Sequence, residues 1–212
     1  NPTDEKLCKV LNAYRFDESY ISYTDLLRPD NTMLYTDGTV RDVSGMLNFS
    51  EEAAAGPYIS KLMHSTLNAN EMVIRHAVPV VRNGRTVYIL YGVTRLSDLA
   101  ERYDTDIYDG QAYVLIEDGD TGDFLLDTWH KSLGNVEDFS DRKLEPGYSW
   151  DTYVNELREG KSGRLAFTSN SIGEMLLLRY DPIGVNNWNI MVMISHDVAM
   201  RERKAVSNRL YC

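Results

Sequence analysis

The stretch EDGDTGDF at 117–124 gathers Asp118, Asp120 and Asp123 around two glycines, and clustered carboxylates on a glycine-bearing loop are what a calcium ion asks for. No glutamate follows where an EF-hand would grip the ion with both oxygens, and the flanking runs read as strands where that motif has helices. Asp and Gly also adopt turn dihedrals at low cost, so a hairpin turn is the better reading and no metal is expected. His64, His76, His130 and His196 contain no i, i+4 pair and no HExxH, and packing on the surface or on strand faces is expected of them. No serine stands in GxSxG and no glycine loop could cradle a phosphate. Cys8 and Cys212 sit near opposite ends without CxxC or Cys/His spacing, which supports neither a zinc site nor a disulfide framework. Two unrelated thiols is the better reading, and a bridge requires the terminal helices to lie side by side. The residues therefore promise no catalysis and no cofactor.

Binding is better represented. In the run TVYILYGVT, Tyr88, Leu90, Gly92 and Thr94 share one face of a strand, while Val87, Ile89, Tyr91 and Val93 share the other. The all-hydrophobic face is expected to pack on the N-terminal helix, leaving the mixed face as a pocket wall with Tyr88 and Thr94 at its ends and clearance at Gly92. Tyr58, Ser60 and Arg75 on neighbouring strands would complete the pocket, although Arg75 serves equally well as a surface partner of a cross-strand carboxylate. Such a wall suits a small polar ligand with a hydroxyl or carboxylate, an organic acid for example, held by Arg75 through a charge-assisted bond.

Composition narrows the classes. The 212 residues are 43% hydrophobic and 25% charged, a globular balance too apolar for disorder, and long enough for one large domain or two small ones. A net charge of -10 repels phosphate backbones, which argues against nucleic acid as a partner. No segment approaches the ~20 apolar residues of a membrane span. The chain opens in a helix-like pattern at Asn1 and stops at Cys212 just after a helical turn, as suits an excised piece with its flanking spans trimmed, an expectation that length alone does not establish.

The elements that would position these residues follow from periodicity. Leu7, Val10, Leu11 and Tyr14 form an apolar stripe that predicts a helix over 3–20. ISYTDLLRPDNTMLYTDG reads as a hairpin about its Pro-Asp-Asn cluster. Ser50 should cap the short helix EEAAA, which Gly56-Pro57 stops. YISKLMH and EMVIRHAVPVV read as strands, the first fitting a helix tolerably too, and an Asn-Gly turn leads from the second into TVYILYGVT. LSDLAERY closes the first half as a helix. From Gln111 the plan starts again: AYVLIED and DFLLDTW make a hairpin, a helix carries Trp150, Tyr153, Val154 and Leu157, and three strands end with Trp188–Ser195. A helix follows from near Asp197. The predicted class is α+β, because parallel β-α-β units would need a ~10-residue helix between strands. Its parts are an N-terminal helix (1–20), two units (21–106 and 107–196, with the boundary at about 104–110) and an exit helix (197–212).

Taken in order, this layout resembles the double Cache sensor, a pair of PAS-like antiparallel-sheet units between terminal helices. The first-hairpin segment, PYIS after the short helix, VIRHAVPVVRNGRTVYILYGVTRLSDL and YDPIGVNNWNIMVMISHD carry the resemblance, the last through its "Y-x-P-I … W" turn before the final strand. It covers nearly the whole chain, with motifs more specific for the fold than for a ligand. What the resemblance implies is an extracytoplasmic sensing domain of a bacterial transmembrane receptor with a membrane-distal and a membrane-proximal unit. The cytoplasmic output could be a diguanylate cyclase, a histidine kinase or a chemotaxis module. Membrane contact would run through flanking segments alone, and a homodimer of the full-length receptor is left open. Family members that bind amino acids carry an Arg-x-Trp-Tyr cluster before the distal sheet and an Asp near the end of its last strand. Here that cluster is missing and Thr94 stands where the Asp would, which argues against a free amino acid as the ligand. The alternatives are a scaffolding or interaction domain without a pocket and, behind it, a metal-dependent hydrolase using the Asp loop.

Overall fold

The computed structural model describes residues 2–13, 19–102, 110–130 and 134–201. The chain divides into two compact units, Asn1–Glu101 and Arg102–Cys212, each built on one antiparallel sheet.

The first unit opens with α1 (Asp4–Ala13), which buries Leu11. Residues 14–18 of the helix expected over 3–20 lie outside the described residues, and Ser19 and Tyr20 form a bend. β1 (Tyr23–Leu27) and β2 (Thr32–Tyr35) form the expected hairpin, its turn closed by Asn31 at a left-handed φ of 61°, which asparagine tolerates better than most residues. β3 (Val40–Asp42) pairs with β2 at the sheet edge. α2 (Phe49–Ala55) is capped by Asn48, whose side chain accepts from the N–H groups of Ser50 and Glu51; Ser50 is therefore inside the helix and not its cap. YISKLMH is broken into two short strands, β4 (Tyr58–Ile59) and β5 (Met63–His64), both paired with β6 (Met72–Arg82). The Asn83-Gly84 turn, both residues at positive φ, joins β6 to β7 (Arg85–Arg95) in the two-residue hairpin that this dipeptide favours. α3 (Leu96–Arg102) follows. The sheet runs β3-β2-β1-β7-β6-β4, with β5 also on β6.

That sheet has two covered faces. Leu26 and Leu34 pack with Leu11 of α1, joined by Leu7, Tyr88 and Leu90. On the opposite face Leu27, Met33, Tyr35, Val73, Ala77, Ile89, Tyr91 and Val93 form a larger core with Phe49 and Ala53 of α2 beside it. The expectation for β7 is therefore inverted: α1 lies on the face of Tyr88 and Leu90, not on that of Ile89, Tyr91 and Val93. The register explains it, since Leu90 stands opposite Leu26 and Leu26 opposite Leu34, which gives α1 an aliphatic ridge across three strands.

The second unit pairs β8 (Ala112–Asp118) with β9 (Phe124–Asp127) across the Asp/Gly turn. A short 3-10 turn (Val136–Phe139) and α4 (Trp150–Arg158) follow. β10 (Gly163–Thr168), β11 (Met175–Pro182) and β12 (Trp188–Ser195) complete a sheet of order β10-β11-β12-β8-β9. Tyr153, Val154 and Leu157 of α4 pack on Leu115, Leu165, Phe167, Leu178, Met191 and Met193. This core leaves a cavity of about 10 Å³, room for about one water molecule. β12 passes directly into helical residues 196–201, and the rest of the predicted exit helix lies outside the described residues.

Candidate functional site

In the first unit, side chains at positions paired across neighbouring strands share a face. β7 is paired on one side with β1, Tyr91 opposite Asp25 and Val93 opposite Tyr23, and on the other with β6, Tyr91 opposite Ala77 and Val93 opposite Arg75. Tyr23, Asp25, Arg75 and Tyr91 therefore share the α2 face, while Thr24, His76, Gly92 and Thr94 share the other. Asp25 and Arg75 stand on the strands either side of β7 and two residues out of register, so their backbones are roughly 9.5 Å apart across the sheet and about 7 Å apart along it.

Both are fully buried. Neither carboxylate oxygen of Asp25 has a hydrogen-bond partner among the described residues. Burial pushes its carboxyl up to about 7, against the pull of Arg75 and Arg95. Arg75 Nη2 donates to Thr66 Oγ1 at 3.1 Å and Nη1 contacts Met63 Sδ at 2.9 Å, while Nε has no partner; its guanidinium lies 5.7 Å from the centre of the Tyr91 ring. Arg95, at the end of the same face, is 2.9 Å from Glu71 and 4.8 Å above the Tyr23 ring. The Tyr23 hydroxyl is 3.2 Å from Ser65 Oγ. Tyr58 and Tyr91 both donate to Glu52 of α2. A buried polar group without a partner costs about 1–3 kcal/mol, more when it is charged, so an acid and a guanidinium with spare hydrogen-bonding capacity on one face are the candidate site of this unit.

The five expected binding residues are not brought together. Arg75 and Tyr58 belong to the α2 face. Ser60 lies beside Arg75, but its Oγ accepts from the Arg75 backbone N–H and donates to the Lys61 carbonyl, a sheet-edge role. Tyr88 and Thr94 lie on the opposite face: Tyr88 lines an open groove of about 480 Å³ with Leu7, Leu11 and Leu90, and Thr94 Oγ1 is buried 3.4 Å from His76 Nε2. The clearance at Gly92 is already used, since a Cβ there would come within 2.9 Å of Ile21 Cδ1. Asp25, Glu52, Thr66 and Tyr91 were missed. Asp25 had a signal: in the strand YTDLL it is a carboxylate at a position that alternation turns the same way as Leu27.

The Asp loop is built as a turn. Asp118 Oδ1 accepts from the Asp120 N–H at 2.9 Å, Asn187 donates to Asp120 at 3.0 Å, and Asn135 donates to Asp123 at 2.9 Å. Among the described residues no three acidic, imidazole or thiol side chains converge to hold a metal. His130 bonds Asp127 at 2.8 Å and stacks on Trp129, and His196 is 3.3 Å from Asp197. Cys8 Sγ is 3.6 Å from the Tyr35 carbonyl, and Cys212 lies outside the described residues.

No protein-family model matches the sequence, and no curated protein does. Solved structures do. The extracellular domain of mmHK1S-Z3, named as a histidine kinase, superposes with a TM-score of 0.66 at 12% identity over 96% of this chain and 83% of that one. The sensory domain of the Campylobacter jejuni chemoreceptor Tlp3, solved with isoleucine, gives 0.60 at 12% identity over 92% and 74%. The ligand-binding domain of Mlp24, solved with asparagine, gives 0.56 at 14% identity over 93% and 78%. The chain thus has the fold of extracellular sensor domains of histidine kinases and chemoreceptors, as the double Cache resemblance implied.

Proposed function

We propose that this chain is the extracytoplasmic, small-molecule-sensing part of a bacterial transmembrane signalling protein, with its ligand held in the first, membrane-distal unit between Asp25 and Arg75. The buried Asp25, without a hydrogen-bond partner among the described residues and on the same face as Arg75, carries the reading. A free α-amino acid meets both groups, its ammonium at Asp25 and its carboxylate at Arg75. The structural neighbours solved with isoleucine and asparagine support that class. The second unit, its core filled, would pass the ligand's effect through β12 into residues 196–201. A ligand shifts signalling only as far as its affinity differs between two conformations. In this reading the domain catalyses nothing, and the diguanylate cyclase, histidine kinase or chemotaxis output, the membrane attachment and any homodimer belong to segments beyond it. Among the described residues no helix is long and apolar enough to cross a membrane.

A small organic acid is the second reading, favoured by the raised pKa of Asp25: protonated, it could donate to a ligand carboxylate. A thermal-shift panel of amino acids and organic acids tests both, because a ligand that binds the folded state raises the melting temperature by mass action. Arg75→Ala should weaken any hit by about 2–5 kcal/mol. Asp25→Asn should abolish an amine ligand and spare an organic acid. A panel without a hit, or a hit indifferent to both substitutions, would remove the site from this face.

A further inference from the structure

Asp25 and Arg75 are both sealed from solvent, so a ligand reaches them only when part of their cover moves. α2 is the candidate for that part. It has seven residues, none buried, and its apolar hold on the core is the half-buried Phe49 and Ala53. A helix this short has no stability of its own and depends on tertiary anchoring.

Among the described residues, one side chain of α2 carries its polar anchoring to the sheet. Glu52 Oε2 accepts the Tyr58 hydroxyl from β4 at 2.6 Å and the Tyr91 hydroxyl from β7 at 2.7 Å. Both phenols are held well above their ordinary pKa, by burial first and then by the Glu52 carboxylate, so they remain donors at any physiological pH. Hydrogen bonds to a charged acceptor are stronger than neutral ones. The Tyr91 ring also lies 5.7 Å from the Arg75 guanidinium, so the acid that fastens α2 holds a side chain beside Arg75 as well. At the two ends of the helix, the Phe49 N–H is held by Asn31 Oδ1 at 2.8 Å and Gly56 has a φ of 74°. The N-terminal end is thus pinned, and the helix stops at a backbone conformation that favours glycine.

We propose that Glu52 is a positioning residue of the ligand face, a latch whose carboxylate fastens α2 to the sheet face that carries Asp25 and Arg75, through Tyr58 and Tyr91, and whose release admits the ligand. This rests on the sensing reading only in calling the face a ligand site. Amide hydrogen exchange on the 212-residue chain without ligand tests the latch directly. Glu52→Ala should speed exchange at residues 52–55 about tenfold or more, leaving β6, β7 and α4 unchanged. The Tyr58→Phe/Tyr91→Phe double variant should match it, and adding Glu52→Ala to that pair should change nothing further. Glu52→Gln, which keeps an acceptor oxygen, should restore most of the protection. Unchanged exchange in Glu52→Ala, or effects of acid and tyrosines that simply add, overturns the latch. If Glu52→Ala unfolds the first unit, the single Tyr58→Phe and Tyr91→Phe variants carry the test, and each must speed exchange at 52–55. With L-isoleucine and L-asparagine as probes, Glu52→Ala should associate faster than the wild type and Glu52→Gln at close to the wild-type rate. Failure of both probes to bind counts against the amino-acid reading, while the exchange data still decide the latch.

Discussion

Asp25 and Arg75 face the same side of one sheet from the two strands that flank β7, Asp25 opposite Tyr91 and Arg75 opposite Val93. Both members are buried, the Asp25 oxygens have no hydrogen-bond partner among the described residues, and burial raises the acid to about 7 against the pull of Arg75. An open arrangement of this kind is costly in a folded core, and it is the observation on which the proposed ligand site rests.

The sense of the pH dependence distinguishes the ligand classes. An ammonium group is held by the ionised form of Asp25, so its affinity should rise as pH increases through about 7, with a proton released on binding. An organic acid needs the protonated form, and its affinity should fall over the same interval. Titration calorimetry in buffers of different ionisation enthalpy reads the proton directly. Binding with no net proton exchange near pH 7 would dissociate the ligand from Asp25.

Glu117 makes the corresponding prediction for stability in the second unit. It is buried on β8 opposite Asn189, which donates to it at 3.0 Å and also caps the Leu157 carbonyl at 3.0 Å. Burial outweighs that bond and raises the carboxyl to about 7. The folded pKa lies above the unfolded value, so the contribution is full below about 4.5 and is lost as pH rises through about 7. Melting temperature should decline across that window, and Glu117→Gln should flatten the decline. Asp25→Asn should do the same for the first unit.

Tyr88→Phe and Thr94→Val should leave ligand affinity within about twofold, because both side chains lie on the face opposite Asp25, Tyr88 beside α1 and Thr94 against His76. A tenfold loss in either variant would move the site to the other face of β7.

Gly163→Ala should destabilise the second unit by about 1–3 kcal/mol. A Cβ there would overlap the Tyr180 phenol and approach Glu156 Oε2 to 2.7 Å, and those two side chains are hydrogen-bonded to each other. Gly45→Ala, with open space around it, should stay within about 0.5 kcal/mol of the wild type. Chemical denaturation followed by tryptophan fluorescence measures both, since the chain's three tryptophans, Trp129, Trp150 and Trp188, all lie in the second unit.

Much of the fold is legible in the sequence because its signals are local. Asn83-Gly84 fixes a two-residue hairpin, and Tyr153, Val154 and Leu157 mark the inner face of α4. The alternation along β7 correctly separates its residues into two sets. What alternation cannot supply is which set meets the helix, because that depends on which strands become neighbours: Leu26 and Leu34 come from a hairpin more than fifty residues before Leu90. Reading Tyr88 and Thr94 as pocket wall followed from that missing partner. The site suffers similarly, since Asp25, Glu52, Arg75 and Tyr91 come from four elements and no spacing between them carries a motif. Asn48 was overlooked as a cap because Ser50 is also a capping residue, and Asn48 is the one with the extended backbone that the cap position requires.

β12 is held on both sides, by β8 through Trp188–Ile194 and by β11 through Asn189–Ser195. Its side chains alternate between the core, at Met191 and Met193, and the exposed positions Ile190 and Val192. A slide of one residue along either neighbour would turn the two methionines outward and drive the exposed pair into a core with no room for them. β12 is therefore locked to β8 and β11, and residues 196–201 move along the strand axis only together with the sheet that holds them.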